Sequence, residues 1–172
     1  MGRDKSTRAE IAIGYEHHEI HGGSHFFIED HATLASAATI DFGIQTANSS
    51  KHLHIVWDIQ SQAEFLFDIY EGSTITFDGA DIEAFNNDRN SSNVTNLVQL
   101  QMDPTVTAVG TRLGGFDVGT ATNPATQIPG AGNRDREIIL ASNTIYLFRI
   151  TSAANDNTIS YLAEWYEHTV KS

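Results

Sequence analysis

From Glu10 onward, apolar side chains recur at a period of two rather than at the 3.6-residue period of a helix. The segments SHFFIED (24–30), HLHIVWDI (52–59), AEFLFDIY (63–70), TNLVQLQM (95–102), REIILAS (136–142), TIYLFRITS (144–152) and TISYLAEWYEH (158–168) are rich in β-branched and aromatic residues and bounded by turn formers. Each reads as a strand, because such side chains suit a pleated, half-buried surface. In the last segment Ile159, Tyr161, Ala163, Trp165 and Glu167 fall on one face, and Ser160, Leu162, Glu164, Tyr166 and His168 on the other. Large groups on both faces predict a central or sandwiched strand.

The stretch EIILASNTIYLFRIT breaks at Ser142-Asn143, and Asn tolerates the positive φ of a tight turn, so a hairpin is predicted there. Through HATLASAATIDFGIQTANSSK, residues Thr33, Thr39, Ile40, Phe42 and Ile44 continue the period of two, which favours a strand over the short helix that Ala and Leu would also suit. Residues 104–135 form a long excursion rich in Gly, Thr and Asn. A structureless loop of that length is uncommon in a compact domain, so it either contains a short hairpin or packs against a neighbouring subunit; the same applies to FNNDRNSSN (85–93). Many short strands without an amphipathic helix or an internal repeat predict an all-β fold: an antiparallel β-sandwich, jelly-roll-like, with long loops.

Charge changes the picture of what this fold would meet. The 172 residues, 40% of them hydrophobic, suit one core and carry a formal charge of −12. That charge repels phosphate, so neither nucleic acid nor an anionic membrane is expected as a partner. Arg3, Lys5 and Arg8 place three of the ten basic residues in the first eight positions. Residues 1–9 therefore read as a basic N-terminal arm, either a frayed terminus or a tether to an acidic surface, and 10–172 as a single β-sandwich domain. No run approaches the roughly 20 apolar residues of a membrane span, and the polar start lacks the apolar middle of a signal peptide, so a soluble protein is expected. Without Cys, disulfides, thiolate metal sites and a Cys nucleophile are excluded.

Candidate chemistry gathers in the histidines. HHEIHGGSH (17–25) holds four of the eight. On a strand His17, Glu19 and His21 would share one face and could converge on a metal, although His-Glu-Ile-His is one residue short of the H-E-x-x-H metalloprotease spacing and Gly22-Gly23 would end a helix at once. The plainer reading is a polar strand edge ending in a Gly-Gly turn. His52 and His54 in HLH resemble the metal-binding strand of cupins, with Asp58 or Glu64 as the carboxylate and His168 as the late histidine, but the glycine expected a few residues before the first histidine is missing and the carboxylate is not ideally placed. Trp57, Tyr70, Trp165 and Tyr166 are the aromatics that could stack on sugars, and at strand positions they are more often core. GTRLGG (110–115) lacks the Lys-Ser/Thr ending of a phosphate loop, and no serine sits in a nucleophile elbow. The residues thus assign no metal, no cofactor and no catalytic group.

Three stretches together resemble a family of tailed bacteriophages. They are EIHGGSHFFIEDHATLASAATIDFGIQT, then FDIYEGSTITFDGADIEAFNNDRNSS with Tyr70-Glu71-Gly72 and the cluster Asn86, Asn87, Arg89 and Asn90, and finally NTIYLFRITSAANDNTISYLAEWYEH with Trp165-Tyr166-Glu167. The likeness covers most of residues 16–168 and is to the head decoration, or cement, proteins encoded beside the major capsid protein. The resemblance implies a β-rich, often trimeric protein, not an enzyme, that binds the major capsid protein on the outer surface of the virion after assembly in the host cytoplasm. Arg3, Lys5 and Arg8 lie outside the matched region and would be capsid contacts by our own inference. The rival readings are a carbohydrate-binding jelly-roll module of a phage tail or fibre and, third, a cupin-like metal-binding protein.

Overall fold

A computed structural model of the chain describes residues 2–3, 10–11, 15–119 and 137–169. A short pair, β1 (Gly2–Arg3) and β2 (Glu10–Ile11), precedes helix α1 (Tyr15–His21). Arg3 is on β1, whereas Lys5 and Arg8 lie outside the described residues. The main strands are β3 (His25–Leu34), β4 (Thr39–Thr46), β5 (Lys51–Ser61) and β6 (Phe65–Glu71), followed by the short β7 (Thr74–Thr76), β8 (Ala80–Asp81) and β9 (Phe85–Asn86). Then come β10 (Leu97–Met102), β11 (Thr105–Ala108), β12 (Thr111–Val118), β13 (Ile138–Leu140), β14 (Ile145–Ser152) and β15 (Asn157–Thr169).

Every pairing among the described residues is antiparallel; apart from the two-stranded β1–β2 and β7–β11 pairs, they form a sandwich of a six-stranded sheet, ordered β12-β6-β14-β4-β10-β8, and a five-stranded sheet, ordered β13-β5-β15-β3-β9. Strands β3 to β6 alternate between the two sheets. Strands β14 and β15 return in the same alternation, β14 between β4 and β6 and β15 between β3 and β5, with β12 and β13 beside β6 and β5. This interleaving is the jelly-roll order, so the predicted fold class holds.

The core is an aromatic seam between the sheets. Trp57 of β5 has ring centroids 4.8 Å from Phe42 on β4, 5.2 Å from Phe148 on β14 and 5.6 Å from Phe67 on β6, so one indole spans three neighbouring strands of the opposite sheet. Tyr161 of β15 adds an edge contact to Phe42 at 4.9 Å. Each fully buried large side chain contributes roughly 1.5–3 kcal/mol through removal from water. β15 is central as predicted, with Ile159, Tyr161, Ala163, Trp165 and Glu167 all buried on its inner face.

The outer face of the six-stranded sheet carries a row of alternating charge. Asp41 on β4 takes two hydrogen bonds from Arg149 on β14, both at 2.6 Å, and Arg149 is in register with Asp68 on β6, which accepts from Arg112 on β12 at 2.7 Å. The paired carboxylate raises the Arg149 pKa above its ordinary value. Beside this row Leu147 also points outward, yet it is fully buried. Its partner across the ladder is Gly43, and a Cβ there would lie 2.9 Å from Pro104 and 3.2 Å from Phe77. The small β7–β11 sheet and its flanking residues close over this spot as a flap.

Three sequence expectations need correction. Residues 15–21 are helical, so His17, Glu19 and His21 do not share a strand face. The helix ends because Gly23, at φ 66°, closes it: the Gly23 N–H donates to Ile20 O and the Ser24 N–H to Glu19 O, each at 3.0 Å, the pairing of a Schellman cap. Asn143 does turn with φ 51°, but β13 and β14 enter opposite sheets and make no hairpin. Residues 33–44 do not run as one strand, since a turn with Ala37 at φ 64° separates β3 from β4. The excursion from residue 104 contains β11, which pairs with β7, and β12, which pairs with β6.

The flap yields a paired prediction. Gly43→Ala must push Pro104 or Phe77 aside and is expected to cost about 1–3 kcal/mol in denaturant unfolding. Gly114→Ala, where a Cβ meets nothing within 4 Å, is expected to stay within about 0.5 kcal/mol of wild type. Equal effects would mean that the flap does not pack on Gly43.

Candidate functional site

At one end of the sandwich, α1, the segment 47–50, the loop 87–96 and the end of β15 come together. The loop is held from both sides. At its start Asn86 Nδ2 donates to Gly23 O at 2.9 Å, the Asn87 N–H donates to His25 O at 3.0 Å, and Asn93 Nδ2 reaches the same Gly23 carbonyl at 3.1 Å. The Gly22-Gly23 turn is thus both the stop of α1 and the anchor of the loop. Asp88 N–H and Asn90 N–H close successive side-chain turns on Asn86 and Asp88.

At the far end of the loop the anchor is a buried carboxylate. Glu167 is the last buried residue on the inward parity of β15 and is 3% exposed. The Asn96 N–H donates to its two oxygens at 2.8 and 2.9 Å, and the Thr95 hydroxyl and the Trp165 indole N–H also donate to Oε1. Asn96 Nδ2 donates in turn to Ser49 Oγ at 2.7 Å, which ties the 47–50 segment into the same rim. Nearby, the Tyr146 hydroxyl donates to Glu71 at 2.6 Å and accepts from Ala141 N–H; burial first, and the Glu71 bond second, push its pKa up to about 12. The rim that these bonds hold displays Val94 at 83% exposure and Val98 at 53%. Arg89 lies 5.3 Å over the Phe85 ring at its edge.

The neighbouring outer face of the five-stranded sheet is lined with histidine. In register across three strands lie His25 on β3, Tyr166 on β15 and His54 on β5, and the next row pairs His168 with His52. The Tyr166 ring stacks on His54 at 4.5 Å, and His54 lies 4.6 Å from His168. Glu137, just before β13, takes the Tyr166 hydroxyl at 2.9 Å and sits 2.6 Å from His54 Nδ1. Although they point away from the core, His25 is fully buried and His54 is 7% exposed. α1 packs against β3 and β15 beside them, and its Glu19, itself buried, accepts the Ser24 hydroxyl.

The sequence-level candidates are therefore partly reunited. His54 and the late His168 do meet, with His52 beside them and exposed. The carboxylates proposed for a cupin do not join them: Asp58 is four residues further along β5, roughly 13 Å at strand rise, and Glu64 lies beyond the end of that strand. Among the described residues no group of three or more His, Cys, Asp or Glu side chains is placed to hold a metal ion. Of the aromatics considered for sugar stacking, Trp57, Trp165 and Tyr166 are buried and Tyr70 is half-buried. Sequence reasoning missed the anchors Asn86 and Glu167 as a pair. The available signal was a carboxylate at the end of an apolar strand face, which must find donors when buried. Comparison with protein-family models, with curated proteins and with solved structures returns no match.

Two predictions test this end of the molecule. Glu167→Ala strips the acceptor from Asn96 N–H and Thr95 and is expected to cost about 2–3 kcal/mol, with faster amide exchange at Asn96 than in wild type. Unchanged exchange would show that the loop does not depend on the carboxylate. The second concerns pH. Burial first, then the charge of His54, hold the His168 pKa below the ordinary histidine value. Near pH 6 the unfolded chain then binds more protons than the folded one, so this group's favourable contribution is complete above about 6.5. The contribution shrinks as pH falls through that value and levels off below the folded-state pKa. His168→Gln should therefore flatten the drop in Tm between pH 7.5 and 5.5, and a slope equal to wild type would contradict it.

Proposed function

We propose that the protein is a structural virion component: a capsid decoration, or cement, protein that binds the outside of a tailed-phage head and stabilises the mature lattice. Its partners in this reading are the major capsid protein and its own copies, as a trimer. One observation carries the proposal. The distinctive residues of all three family-like stretches meet at a single end of the sandwich: the Gly22-Gly23 turn bonds Asn86, Glu71 bonds Tyr146 just after the 141–144 turn, and Glu167 of Trp165-Tyr166-Glu167 bonds Asn96.

What they build is a preorganised rim with exposed valines, and a surface ordered before contact loses less freedom on binding. A ligand that binds only the expanded lattice stabilises it by its binding free energy, and a trimer adds avidity by engaging several sites together. The net charge of −12 suits an exterior position better than a DNA-lined interior. Arg3, Lys5 and Arg8 would add contacts to an acidic shell. The burial of Trp57, Trp165 and Tyr166 removes most of the stacking surface on which the carbohydrate-binding reading relied.

Bare expanded capsids of the phage that encodes the chain should disrupt at a higher temperature when saturated with the protein, as followed by light scattering. The double variant Val94→Asp with Val98→Asp, at exposed positions, should keep its own Tm and lose the effect. No rise with the wild-type protein would sink the proposal.

A further inference from the structure

HHEIHGGSH contains a second arrangement that the rim does not use. Because residues 15–21 are helical, His17 and His21 are related by one turn and project from the same side of α1. Both are exposed. Their Nε2 atoms share a hydrogen bond at 3.0 Å, with ring centroids 4.6 Å apart and the planes at 81°, so an ion bound by both would take the place of the proton between them. We propose that this pair is a bidentate surface site for a divalent first-row transition ion, with Cu2+ the best fit.

The spacing allows both rings to hold one ion, and the donor chemistry points to its class. Two nitrogens each about 2.0–2.1 Å from one ion and at right angles to each other lie about 2.9 Å apart, whereas a tetrahedral angle separates them by about 3.3 Å. The His17–His21 separation of 3.0 Å lies near the cis spacing of a tetragonal or octahedral ion, and a small rotation of either exposed ring reaches it. Imidazole nitrogens suit Cu2+ and Ni2+, and Cu2+ stands highest in the usual affinity order of this ion series. Two further features favour a cation here. His21 is the last residue of the helix, where the peptide dipoles leave partial negative charge. The chain's net charge of −12 also raises the local concentration of cations. Two protein donors leave the other coordination positions to water or to a donor from another molecule.

The buried histidines are a poorer candidate on the same geometric grounds. His54 Nδ1 is committed to Glu137 and Tyr166, and the His54 and His168 rings lie tilted at 36° over one another instead of converging on a point. His18 turns away from the pair toward Glu19, 3.5 Å distant.

The test uses the full chain without an affinity tag, titrated with Cu2+ at pH 7.5 by calorimetry and examined by electron paramagnetic resonance. The expected result is one ion per chain with the superhyperfine signature of two nitrogens. His17→Ala and His21→Ala should each weaken binding at least tenfold and reduce that signature. Alanine favours the helix, so far-UV circular dichroism should be unchanged in both. His52→Ala, which alters another exposed histidine, should bind like wild type, and Zn2+ should bind the pair more weakly than Cu2+. Absence of Cu2+ binding, or binding that both alanine variants retain, would overturn the assignment.

Discussion

Much of the molecule follows from the contact of Trp57 with Phe42, Phe67 and Phe148 across the sandwich. Side chains alternate along a strand, so once Trp57 points inward, Leu53 and Ile55 must follow and His52 and His54 must point out. The same parity on β15 buries Trp165 and turns Tyr166 and His168 outward, and on β3 the burial of Phe26 turns His25 outward. The histidine face is therefore a consequence of the aromatic core. A slip of one residue in the β5–β15 register would put imidazoles into the seam and indoles into water.

The end of the sandwich is governed by a different constraint. Glu167 keeps to the inward parity of β15 although it is a carboxylate, which is tolerable only because Asn96, Thr95 and Trp165 supply donors. Two of those donors, Asn96 and Thr95, come from the loop that the rim displays. The cost of burying the charge is thus offset by ordering a surface segment, and the Gly23 carbonyl fixes the other side of that segment through Asn86 and Asn93. A polar loop anchored twice can present Val94, beside Val98 of β10, without collapsing onto them.

Most of the sandwich was legible because period-two segments with β-branched and aromatic residues state both strand and face. The central place of β15 could be read from Tyr161 and Tyr166 lying on opposite faces. What was not legible involved competition between local and long-range terms. His17 to His21 could be strand or helix by local pattern, and it is the cap at Gly23 that makes the helix. Asn143 correctly marks a turn, but only pairing of β13 with β5 and of β14 with β4 decides that the chain changes sheets there. Of the candidate site, the meeting of His54 with His168 followed from the late-histidine idea. The joining of Asn86 to Gly23 and of Glu167 to Asn96 spans about 60 to 70 residues, and no spacing rule carries that information.

The functional reading turns on whether this rim meets a capsid. Cryo-electron microscopy of expanded capsids incubated with saturating protein tests it most directly. The account predicts added density on the outer surface at symmetry-related positions, with residues 85–97 of each sandwich facing the shell. Capsids that remain bare, or density with that rim turned to solvent, would contradict it.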